Sequence, residues 1–183
     1  MGKAIKFVTP ELRLSYCHLF EPHTMPGSDK AKYSVSILVP KSDKKTVKLI
    51  QDAIQKAVDE NQDKLKTKKA LKLPLRDGDE ARDSVEYEGH YFLSVSSKDK
   101  PIILDEEKQV VINTRDIYSG MYGRVSFNFF AFDTAGNKGI GCGLNAVQKT
   151  ADGEPLGPAY TESDAADDFG GAVASKEEDD DFL

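Results

Sequence analysis

Apolar and polar positions alternate with a two-residue period in several separate stretches of this chain, and with a helical period in one stretch only. The run Leu12-Arg13-Leu14-Ser15-Tyr16-Cys17-His18-Leu19-Phe20 opens in strict alternation and predicts a strand that Glu21-Pro22 ends. Residues 21–31 then carry Pro22, Pro26, Gly27 and Ser28, the composition of a loop. Residues 32–39 form the clearest early strand, with Val35, Ile37 and Val39 on one face and Ser34 and Ser36 on the other. Further strands are predicted over residues 90–96, 122–132 and 138–147, the last two joined by a turn at 133–137. Two short β-like pieces, residues 102–104 and 110–112, flank a charged turn.

The helical period begins after Pro40, where Ser42 or Asp43 can cap a helix over about residues 44–65. Val47, Ile50, Ile54, Ala57, Val58 and Leu65 form its apolar stripe. Residues 66–88 are charged and irregular and read as a long exposed loop of the kind that often carries function. About five substantial strands and one amphipathic helix predict a mainly β protein with an OB-fold, a five-stranded, partly open barrel. The usual helix position, between strands three and four, makes residues 4–8 the candidate third strand. An α+β sandwich is the alternative.

Charge divides the chain. From Thr161 onward nine acids face Lys176 alone, which leaves −8 on this segment; the chain total is −6, so residues 1–160 carry +2. The predicted organisation is a barrel over residues 1–150 and a solvated, disordered acidic tail over 151–183. The tail ends Glu177-Glu178-Asp179-Asp180-Asp181-Phe182-Leu183, and a hydrophobic knob on an acidic tether suits docking to a partner or to the chain's own basic groove. No apolar run approaches the roughly 20 residues of a membrane helix. The N-terminus lacks a secretion signal, and Cys17 and Cys142 read as reduced thiols, so the expected compartment is the cytoplasm.

Candidate chemistry centres on the strand from Tyr122. Val125, Phe127, Phe129 and Ala131 suit a barrel interior, while Tyr122, Arg124, Ser126, Asn128 and Phe130 interleave aromatic, cationic and amide groups on the other side. Bases offer faces for stacking and phosphates need cations beside them, so this mixture points to single-stranded nucleic acid. Lys30, Lys32, Tyr33, Arg76, Arg82, Phe92, Lys98, Lys100, Arg115 and Tyr118 are further candidates for the same groove. Each alone reads more readily as a solvated surface charge, and only together do they fit a groove that tracks a phosphate backbone. Catalysis has little support. His18, His23 and Cys17 make a thin case for zinc, and no phosphate-cradling, dinucleotide or nucleophile-elbow motif is present, so no cofactor is expected.

The stretches Leu14-Ser15-Tyr16, Lys32-Tyr33-Ser34-Val35-Ser36-Ile37-Leu38-Val39-Pro40-Lys41 and Gly139-Ile140-Gly141-Cys142-Gly143-Leu144-Asn145-Ala146-Val147, with the acidic aromatic tail, resemble bacteriophage single-stranded DNA-binding proteins. The resemblance implies an OB-fold, sequence-tolerant binding of single-stranded DNA, and work in replication, recombination and repair inside the host cell. It implies that Asp179, Asp180, Asp181, Phe182 and Leu183 engage phage or host replication and recombination proteins. In that family the phenylalanine is terminal, whereas here Leu183 follows it. A second copy of the chain, as a homodimer, is a further candidate partner. The competing function is a non-enzymatic interaction adaptor that uses the same β-domain and tail without DNA.

Overall fold

The computed structural model describes residues 4–24, 30–66, 71–81, 84–134, 137–156 and 162–170. Their strands are β1 (Ile5–Val8), β2 (Leu12–Thr24), β3 (Ala31–Pro40), β4 (Arg76–Asp77), β5 (His90–Ser97), β6 (Ile102–Leu104), β7 (Tyr122–Thr134) and β8 (Asn137–Ala151). Two Ser-Val-Ser runs meet in antiparallel register: Ser34 lies opposite Ser96, Val35 opposite Val95 and Ser36 opposite Ser94. Alternation therefore sends both valines into the core and all four serines outward. β3 also pairs with β2, and β5 runs parallel to β8. β8 forms the long hairpin with β7, and β7 returns to β2 through Leu12–Gly123 and Arg13–Tyr122. The ring β2-β3-β5-β8-β7 is the five-stranded barrel of an OB-fold. It is partly open, because β5 and β8 share a single Cα pair, Ser96 with Gly143.

The strand order differs from expectation at one point. Residues 5–8 do form a strand, but β1 pairs only with β7, outside the ring. The third ring strand is β5, so the helix falls between the second and third strands. The physical reason lies in β7, a 13-residue strand that β2 contacts only at its first two residues. β1 covers the edge that remains, and the Phe7 ring sits 5.7 Å from those of both Phe127 and Phe129. Phe127 and Phe129 are fully buried with Val125, and burial of each such side chain is worth roughly 1.5–3 kcal/mol.

The helix is also shorter than its apolar stripe suggested. Asp43 caps α1 (Lys44–Asp59) by accepting from the Thr46 amide at 3.2 Å and its hydroxyl at 2.7 Å. The chain then breaks at Asn61, whose side chain donates to the Ala57 carbonyl at 2.7 Å, before α2 (Gln62–Leu65). A buried amide that satisfies a helix-terminal carbonyl ends the helix there. Val47, Ile50, Ile54 and Ala57 of α1 and Leu65 of α2 join the barrel core.

Much of the stretch read as an exposed loop is structured. β4 pairs with β5, α3 (Gly78–Ala81) follows, and a 3-10 turn over Val85–Tyr87 carries Tyr87 to full burial. Lys41 fixes this segment to the end of β3 through ion pairs to Asp77 at 2.7 Å and Asp79 at 2.8 Å. Those contacts hold the pKa of both carboxyls down and raise that of Lys41. β2 runs through Glu21-Pro22 as far as Thr24, because its outer part belongs to an exposed two-stranded arm with β3, where a proline removes no central ladder bond. Near the C-terminus, α4 (Glu162–Gly170) is a helix that the sequence reading did not anticipate. No helix among the described residues is long and apolar enough to cross a membrane.

Candidate nucleic-acid interface

The outward face of β2, β3 and β5 is assembled in rows. Ser15, Ser36 and Ser94 lie side by side, and His18, Ser34 and Ser96 form the next row. Ser94 is exposed and Ser34 and Ser96 are half-buried, whereas Ser15 and Ser36 are buried, so the open hydroxyls of this floor are those of Ser34, Ser94 and Ser96. Register slips in β2 between Ser15 and His18, a one-residue bulge in which Tyr16 and Cys17 together oppose Val35. Tyr16 sits at φ 47°, a left-handed conformation that costs a bulky residue energy and is characteristic of functional positions. The residue is 45% exposed, and its ring lies 6.2 Å from that of Tyr87. Tyr87 donates its hydroxyl to Ser36 at 2.9 Å, so one wall of the floor is aromatic and fixed.

The opposite flank carries imidazoles and cations. The rings of His18 and His23 stack at 4.2 Å, with planes only 10° apart. Burial, and after it the neighbouring His23, lowers the pKa of His18. Stacked rings direct their in-plane nitrogen lone pairs side by side rather than at a common point, which removes the zinc reading. No group of three or more potential ligands occurs among the described residues. His23 lies opposite Lys32, and Lys98 follows β5 in the open. Lys100 stands 5.0 Å from the Phe20 ring.

At the other end of the floor the next row runs Tyr122, Arg13, Leu38, Phe92, Arg76 across five strands. Leu38 and Phe92 are covered by Tyr87 and by Leu156, in a small second core. Phe92 is 0% exposed, so its role as a stacking platform is corrected: it supports the face from beneath. Arg76 is exposed, its guanidinium 5.3 Å from the Phe92 ring. Arg13 lies 5.9 Å from the Tyr122 ring and is tied by donation to the carbonyls of Gly120 and Glu154.

Residues 152–156 form a strap that begins at the end of β8 and brings Leu156 to this face. Tyr118 donates its hydroxyl to Asp152 at 2.8 Å and accepts from the Gly153 amide at 3.1 Å. Lys149 pairs with Asp152 at 2.7 Å and stands over the Tyr118 ring. Burial and Asp152 raise the pKa of Tyr118, and Lys149 with Tyr118 lowers that of Asp152. A side chain at Gly120 would strike the Glu154 carbonyl at 2.1 Å, which keeps the crossing tight. Tyr118 is thus a clamp on the strap, and the packed body extends past residue 150 to Leu156.

The predicted contacts therefore fall into separate sets. Lys30, Lys32 and Lys98 lie on the arm or beyond the end of β5, Arg76 borders the serine floor, and Tyr33, half-buried, is at the start of β3 opposite Ser97. Arg124, Asn128 and Phe130 lie on the outward face of β7. In a five-strand ring β3 and β5 are the two strands not adjacent to β7, so these faces look in different directions. Arg124 donates to the Thr9 carbonyl at 2.9 Å, and Phe130 lies over Gly141 and Gly143 of β8. Arg115 is exposed in a 3-10 turn over Thr114–Asp116. Arg82 and residues 171–183, with Asp179, Asp180, Asp181, Phe182 and Leu183, lie outside the described residues. Tyr16, His18 and the serines of the paired Ser-Val-Ser runs join this face without having been among the sequence-predicted contacts.

Comparison with known proteins agrees with this architecture. A solved structure of the bacteriophage Enc34 single-stranded DNA-binding protein in complex with single-stranded DNA is 26% identical, with a TM-score of 0.70, over 84% of this chain and 90% of that one. The single-stranded DNA-binding protein gp2.5 of bacteriophage T7 shares the fold, with a TM-score of 0.54 over 90% of this chain and 94% of that one, at 17% identity. Protein p50 of Acyrthosiphon pisum secondary endosymbiont phage 1 is 31% identical over 97% of this chain and 94% of its own length. The family described as the ssDNA-binding protein of Enterobacter phage Enc34 matches residues 5–183. With an OB-type barrel and a match that runs through the acidic terminus, the chain belongs to the family of the Enc34 phage single-stranded DNA-binding protein.

Proposed function

We propose that this chain is a non-enzymatic, sequence-tolerant single-stranded DNA-binding protein of a bacteriophage, acting in replication, recombination and repair in the host cytoplasm. The observation that carries the reading is Tyr16, held out by a bulge beside a floor of serines. Bases stack on the Tyr16 and His18 rings, and the hydroxyls of Ser34, Ser94 and Ser96 with Lys32, Lys98 and Arg76 take the phosphates, contacts that carry no sequence information. A relative of the same family has been solved with single-stranded DNA, which supports the reading. The acidic C-terminal segment competes with DNA for the basic flank and, once displaced, presents Phe182 and Leu183 to replication and recombination proteins.

Fluorescence titration of the full chain with oligo-dT, duplex DNA and RNA across salt tests this. Tight, salt-sensitive binding to oligo-dT with weaker binding to duplex supports the proposal, whereas preference for duplex overturns it.

A further inference from the structure

On the edge of β8 away from β7, next along from β5, the sheet ends in a small bare hairpin. β6 pairs in parallel with residues 146–148 of β8. Its far side is taken by the chain's own return: Leu104 bridges Val110, and the Val111 amide donates to the Ile103 carbonyl at 2.9 Å. Asp105 closes the turn by accepting from the amides of Glu107 and Gln109, each at 2.9 Å. Alternation puts Ile103 and Val111 inward, where both are buried, and Ile102, Leu104, Val110 and Ile112 on the opposite face. Ile102 is 60%, Val110 66% and Ile112 89% exposed. Four aliphatic groups on one face of a two-stranded hairpin have no role in the core or on the serine floor.

The outer edge of this hairpin is open. The Val111 amide points to β6, so those of Val110 and Ile112 point away, and neither donates to another backbone group among the described residues. Natural proteins usually blunt such an edge with charge, proline or cover. Beside it lies a cavity of about 370 Å³, lined by Val110 and Ile112 together with Asp105, Glu106, Asp116 and Asp152. Lys149 is the one cation in the lining, and Asp152 holds it. The negative potential disfavours DNA phosphates and the chain's own acidic terminus. A second copy is a poor fit as well, because two-fold pairing brings two acidic linings together. Four aliphatic side chains also fall short of the roughly 800 Å² per partner that a stable interface buries.

We propose that this edge docks an extended, basic segment of a partner protein. The segment adds as a strand beside residues 110–112. It lays alternate apolar side chains on Ile102, Val110 and Ile112, and its lysines or arginines meet the acidic cavity. This surface is separate from the DNA face and does not depend on it.

The test is an NMR titration of the full-length, isotope-labelled chain with an octapeptide of alternating lysine and valine, against an alternating glutamate–valine control. Amide shifts are expected at Ile102, Val110 and Ile112 with the lysine peptide only. V110K/I112K, which alters two exposed side chains, is expected to weaken that binding about tenfold or more and leave oligo-dT affinity unchanged. Three results would overturn the proposal: shifts confined to the acids at 177–181, undiminished binding by the double variant, or a wild-type dimer in sedimentation that the variant dissolves.

Discussion

Tyr16 concentrates the argument at the residue scale, because its exposure and its strained backbone both have to be maintained against simpler alternatives. A base stacked on one aromatic ring contributes roughly 1–3 kcal/mol, so Tyr16→Ala is expected to weaken oligo-dT binding about ten- to hundredfold. The melting temperature should fall little, since the ring is partly solvated and the mutation removes no core volume; fluorescence titration beside a thermal melt separates the two effects. His18 supplies a pH dependence. Its pKa is lowered in the folded chain, so near the ordinary histidine range the unfolded chain binds more protons than the folded one. Stability is then held at neutral pH and lost as pH falls through that range. His18→Gln is expected to flatten the change in melting temperature between about pH 7.5 and pH 5.5. A slope unchanged by the substitution would remove His18 as its source.

At the scale of elements, the β7–β8 hairpin shows what alternation can and cannot reveal. The interior face Val125, Phe127, Phe129, Ala131 follows directly from the period-two pattern. Alternate glycines of β8 leave room for close approach: Gly139 meets the Lys72 backbone and Gly141 the Phe130 ring. A methyl group at Gly141 would lie 2.7 Å from Phe130. Gly141→Ala is expected to cost about 1–3 kcal/mol by overpacking. Combining it with Phe130→Ala should cost less than the sum of the two, which a double-mutant cycle in denaturant measures. The helix stripe was legible in the same way, but the break at Asn61 was not, because it depends on a side chain turning back to Ala57. Nor could the pattern show that the 3-10 turn would deliver Tyr87 onto Ser36. Phe92 was misjudged for that reason: strand alternation puts it outward, and only the returning loop and Leu156 bury it.

For the whole molecule, ring topology decides which charged and aromatic groups can act together. The mixed face of β7 looked the best candidate from local composition, yet β7 is adjacent to neither β3 nor β5. Local pattern carries no information about which faces share a side of a closed barrel. The strap at residues 152–156 adds a second global consequence, because Leu156 starts the acidic C-terminal segment from the edge of the candidate DNA face. On the proposed reading a segment of net −8 tethered there competes with DNA at high effective concentration. Deleting residues 161–183 is expected to raise oligo-dT affinity severalfold at low salt, with the gain shrinking as salt is added. Equal affinities of intact and shortened chains at low salt would remove the competition. The central claim is that single-stranded DNA lies on the outward face of β2, β3 and β5. Photocrosslinking of the full chain to oligo-dT carrying 5-iododeoxyuridine, followed by peptide mapping, tests it most directly. The account predicts adducts at Tyr16 and His18; adducts confined to Phe130 and its neighbours on β7 would contradict it.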